Sequence, residues 1–146
     1  MNDLKIKWKG ENPLEVGRII FEQVTPAKRP EWAASVLKLA TSWIRHIPEI
    51  DYVLAIARSP KEWSKGHVAF DRIRDLTLAN QELLVESLLL LAENTAKVIY
   101  NETSPRDPFD EDSGWWIAET LWSITAEIND PEFEQQAWSC LTNIRE

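Results

Sequence analysis

Apolar residues along this chain recur mostly at the helical spacing of three and four. From residue 81 to about 100 the leucines, Val85, Ala92, Ala96, Val98 and Ile99 advance around nearly the whole circumference of a helix and leave only a narrow polar strip of Glu86, Glu93 and Lys97. A helix apolar on almost all sides belongs in the middle of a fold. The stretch from residue 30 to about 46 is one-sided instead: Trp32, Val36, Leu39, Ala40, Trp43 and Ile47 share a face, with Lys38, Thr41, Ser42 and Arg45 opposite, the pattern of a surface helix.

Punctuation agrees with this reading. There are only four glycines and eight prolines, and the prolines fall between periodic segments, where they mark helix starts. Asn12 with Pro13 opens a helix to about residue 24, Pro30 opens the next, and Pro48 opens a short one ending near Arg58. Ser59 and Glu62 have the spacing of a capping box, and a helix from His67 to about Leu78 follows Gly66. Ser113 is placed to cap a helix reaching about Asn129, and Asp130 with Pro131 turns a tight corner into the last one. The predicted fold is all-α, with six or seven helices arranged as stacked antiparallel hairpins in a short superhelix or bundle around 81–100. Residues 12–146 form one helical domain. Ahead of it Leu4, Ile6 and Trp8 alternate strictly with lysines, a strand period, so 1–11 reads as an extended arm laid on the helices.

Helix starts recur at a separation of about 50 residues, with Pro30, Gln81 and Pro131 each leading a similar apolar series. The corner at Asp130 followed by Ala137, Leu141 and Ile144 down one side resembles the second helix of a HEAT-like repeat, and the resemblance is best over 113–144. Glu134 and Gln135 stand where such repeats carry a basic residue. The resemblance implies stacked helix pairs around a continuous core and a role in binding other proteins.

Length and charge narrow the function. The chain has 146 residues, enough for one domain with a real core, and its net charge is −8, which repels phosphate backbones and anionic lipid surfaces. Neither nucleic acid nor membrane is an expected partner; the longest apolar run, residues 87–92, is far too short for a bilayer span. A single cysteine, Cys140, and the lack of a signal-peptide pattern point to the cytoplasm. Two histidines in no ligand spacing and four scattered glycines lead us to expect no metal, no phosphate loop and no cofactor.

Two places remain for chemistry. Around a helix beginning at Ser113, Ile117, Leu121, Ile124 and Ile128 form one apolar stripe and Trp115, Ala118, Trp122 and Ala126 a second; Trp116 falls outside both. Beside it lies the acidic loop 101–112, so Phe109, Asp110, Glu111, Asp112 and Trp116 make a candidate surface for a protein with a basic rim. The same acids also suit the positive end of the helix dipole. The second place is His67 with Asp71 and Arg74 at i, i+4 and i+7, which could supply acid–base chemistry with the carboxylates of 107–112, or form a solvated face of ion pairs. The expectation is a non-enzymatic module that binds or neutralises a basic protein; an enzyme built on His67 is the alternative, and self-association stays open.

Overall fold

The computed structural model describes residues 2–103, 109 and 111–143, without the side chains of residues 2, 11 and 111. The described chain is all-helical: α1 (Asn2–Ile6), α2 (Pro13–Gln23), α3 (Arg29–Ile44), α4 (Pro48–Ala57), α5 (Gly66–Ala79), α6 (Leu83–Asn101), α7 (Trp115–Ile128) and α8 (Pro131–Leu141). Eight helices replace the six or seven expected. The additional one is α1, which continues through a π turn at Lys7–Glu11, so residues 2–11 are helical where an extended arm was expected.

Side-chain direction explains that correction. A strand would place Leu4, Ile6 and Trp8 on one face; a helix advances 100° per residue and puts Leu4 under Trp8 while turning Ile6 away. Trp8 is fully buried and Ile6 is 62% exposed. The Trp8 indole donates to the Ala118 carbonyl at 2.8 Å and packs against Trp122 and Trp138, with ring centroids 5.5 and 5.2 Å away. Lys5 and Lys9, one turn apart, both reach Glu134 on α8, at 3.6 and 3.1 Å. Asn12 then leaves helical geometry, and its side chain accepts the Glu15 amide to cap α2.

At the centre, α6 packs against α3, α4, α5 and α7, and Leu88, Leu91, Ala92, Ala96 and Ile99 are fully buried. The helix from 30 onward keeps the expected outward stripe, with Lys38 and Ser42 exposed and Arg45 exposed just beyond its end, but its buried side is broader than expected. Ala33, Ala34 and Leu37, outside its predicted apolar face, are buried as well, because α3 is held between α6, α8, α4 and α7. Small alanines let neighbours come close on that side. The Trp32 indole donates to the Leu141 carbonyl at 2.8 Å and ties α3 to the end of α8.

Two of the expected caps take another form. Ser59 makes no side-chain cap, and α7 starts at Trp115 after a 3-10 turn, Glu111–Gly114, that holds Ser113 buried inside it. Asp130 does cap α8, accepting the Glu132 amide at 2.8 Å, after Asn129 reverses the chain at φ 51°. Gly17 and Gly66 are close-approach positions: a Cβ at Gly17 would strike the Trp115 carbonyl oxygen, and one at Gly66 would meet the Ala96 carbonyl and Tyr100 at under 3 Å. These approaches fix α7 against α2 and α5 against α6, which brings the start of α7 and the solvent side of the α5–α6 pair together.

Candidate docking groove

Between α5, α6 and the start of α7 lies an open groove of about 410 Å³. Arg74 of α5 forms one wall, and Leu90, Asn94 and Lys97 of α6 form the floor with Glu93 at its base. Asp112, Ser113 and Trp116 close the third side. Trp116 is 39% exposed, as its place outside both α7 stripes implies, and its indole N–H donates to the Asp112 carboxylate at 3.2 Å. The ring is thereby held at the rim with a face left to solvent.

Glu93 falls on the narrow polar strip expected of α6, and it is only 3% exposed. Its carboxylate accepts from the Thr77 hydroxyl at 2.6 Å and from Arg74 Nη1 at 3.2 Å, both from α5. A buried carboxylate without such partners would be costly; here each oxygen has a donor, and Arg74 supplies the opposite charge while half of its side chain stays in water. The arrangement holds α5 and α6 in register along the groove.

The residues chosen from sequence separate in space. Asp112 and Trp116 line the groove together. Phe109 is half-buried and turned back on the helices: its ring packs against Phe70 and Tyr100, with centroids 5.0 and 5.3 Å away. The Asn101 side chain clasps its backbone, accepting the Phe109 amide at 2.7 Å and donating to its carbonyl at 3.3 Å. Lys97 lies over the Phe70 and Phe109 rings, 5.1 and 5.9 Å from their centroids, so its ammonium is engaged by aromatic faces. Asp110 lies outside the described residues; Glu111 is described only as the first residue of the 3-10 turn.

His67 is exposed, does not line the groove, and has Nδ1 3.1 Å from the Ser64 carbonyl, with its ring beside Tyr100. Among the described residues no three His, Cys, Asp or Glu side chains converge as a metal site would require, and no helix is long and apolar enough to cross a membrane. Burial pushes the Glu102 carboxyl above the ordinary glutamate range, against a smaller opposing pull from Arg29. Glu119 on α7 is raised by burial alone.

Sequence reasoning missed Glu93 and Thr77. The available signal was an acid in the middle of the most apolar helix, with Arg74 and Thr77 spaced i, i+3 on the preceding one. No protein-family model matches the chain, nor does any curated protein or solved structure.

Proposed function

We propose that the protein is a non-enzymatic binding module that takes a segment of a basic partner protein into the groove between α5, α6 and α7, with Trp116 as its aromatic anchor. The single observation carrying this reading is Trp116: a large ring, 39% exposed, oriented by its own bond to Asp112 at the rim of the groove. Large aromatic rings at the edge of a concavity carry a disproportionate share of interface energy, because most of their cost of ordering is met before the partner arrives. The net charge of −8 steers a basic protein toward the surface and disfavours acidic competitors. The HEAT-like resemblance of 113–144 is in keeping with such a role.

The test begins with capture from the source cell by wild-type protein and by the Trp116→Ala variant, followed by titration of the purified, identified partner into each. Trp116→Ala weakens the complex at least about tenfold, and Asp112→Asn by less, since the ring survives while its restraint is lost. Unchanged affinity in both variants removes the reading.

A further inference from the structure

The four large hydrophobic side chains most exposed among the described residues are Ile6, Leu78, Leu83 and Trp116, and three of them border one seam. On α6, Leu83, Leu90 and Lys97 follow one another at seven-residue steps and so drift by only about 20° per step, which makes a single outward stripe. Leu83 is 63% exposed and Leu90 is half-buried in the groove beneath Trp116. On α5, Leu78, 74% exposed, stands one turn beyond Arg74, the groove's wall. The groove itself ends at Arg74 and Leu90, and beyond it the same faces of α5 and α6 lead to the exposed Leu78 and Leu83, the latter four turns of α6 from Lys97, or about 21 Å.

The charges along this seam are not balanced. Its two cations are already engaged, Arg74 by Glu93 and Lys97 by the faces of Phe70 and Phe109. Its exposed acids are not: Glu86 lies on the stripe between Leu83 and Leu90, and Asp71 and Asp75 flank Arg74 and Leu78, all three without an ion pair among the described residues. Apolar steps one to two turns apart, bordered by unpaired acids over about 21 Å, match one amphipathic helix of about 14 residues with Lys or Arg beside its apolar face.

We propose that the seam from Leu78 and Leu83 to Trp116 seats one basic amphipathic helix of the partner, which rests on the protein-binding reading above and specifies what that partner presents. Leu78 and Leu83 take its apolar residues at one end, Trp116 takes another at the far end, and Glu86, Asp71 and Asp75 meet its flanking cations.

The probe is an 18-residue labelled peptide of leucine and lysine with its leucines on one helical face, compared by fluorescence anisotropy at physiological salt with a shuffled peptide of the same composition that has no apolar face. Wild-type protein is expected to bind the amphipathic peptide at least about tenfold tighter than the shuffled one. That advantage is lost in the Leu78→Ser/Leu83→Ser double variant and in Trp116→Ala, and kept in Ile6→Ser, which alters the exposed hydrophobic away from the seam. Equal binding of the two peptides would reduce the interaction to net charge and overturn the proposal. An effect of Trp116→Ala without one from the leucine pair overturns the seam and leaves the Trp116 reading standing; the reverse overturns both as stated. A wild-type dimer in light scattering that becomes monomeric in the leucine double variant would assign the leucines to self-contact and also overturn it.

Discussion

Trp8 and Trp116 meet the same helix within two residues of each other and do opposite things. Trp8 comes from another part of the chain, inserts beside Trp122 and Trp138, and gives its N–H to the Ala118 carbonyl in a site closed to water. Trp116 belongs to α7, faces outward, and gives its N–H to a carboxylate at the surface. The acceptor is the informative difference. A main-chain carbonyl in an apolar slot satisfies a buried indole and fixes a segment of fold, whereas a carboxylate beside a solvent-exposed ring sets the ring's orientation without removing it from a partner's reach. Aromatic content alone, eight tryptophans in 146 residues, would not separate these two uses.

The largest effect is expected at the buried end. Trp8→Ala removes a fully enclosed ring and the bond to Ala118, and should cost about 3–5 kcal/mol in chemical denaturation. Since this side chain is the main anchor of residues 2–11, the variant should also expose those residues to limited proteolysis before the rest of the protein. A cost below about 1 kcal/mol would mean that the segment merely lies on the surface, and the contrast with Trp116 would fail.

Glu93 sits between the two regions, buried like Trp8 yet lining the groove like Trp116. Glu93→Ala leaves a gap in the α5–α6 seam and deprives Arg74 of its acceptor, while the Thr77 hydroxyl keeps the Ile73 carbonyl at 3.0 Å, with an expected loss of about 2 kcal/mol. Glu93→Leu restores the volume, and the half-exposed Arg74 can rehydrate, so most of that loss should be recovered. Equal losses in both variants would show that the hydrogen bonds, rather than the filling of space, hold the two helices together.

Much of the helical frame was legible because it is written locally. The helix expected over 81–100, apolar on nearly every side, does lie at the centre, as α6 from Leu83 to Asn101; Asn12 and Asp130 cap the helices they were expected to cap. The exposure of Trp116 followed from its angle to the α7 stripes alone. The first eleven residues misled because a strict alternation over six residues fits strand spacing, while the observed helix depends on Trp8 finding a slot among α7 and α8 that no local pattern announces. Glu93 was missed for a related reason. A helical wheel places it on the polar strip of α6, but whether a strip meets water depends on which neighbour covers it, and Thr77 and Arg74 reach it from α5 across a corner. For α3, the wheel registered one strong face and undervalued alanines as packing surface.

The smallest effect lies on α7 itself. Glu119, three residues beyond Trp116 and three before Trp122, is half-buried, and burial alone raises its carboxyl above the glutamate range. With the folded-state pKa above the unfolded one, the folded protein holds this proton more tightly, so ionisation at Glu119 opposes folding at neutral pH. The opposition fades as pH falls through the folded-state pKa and is gone below the unfolded value. Glu119→Gln, which carries no charge at any pH, should therefore be slightly more stable than wild type at pH 7, by no more than about 0.5 kcal/mol because the group is partly hydrated. Thermal melts of the two proteins should converge as pH is lowered toward 4. A variant less stable than wild type at pH 7 would mean that the Glu119 carboxylate has a stabilising partner there, and would give α7 an oriented acid of its own in addition to Asp112 in the turn before it.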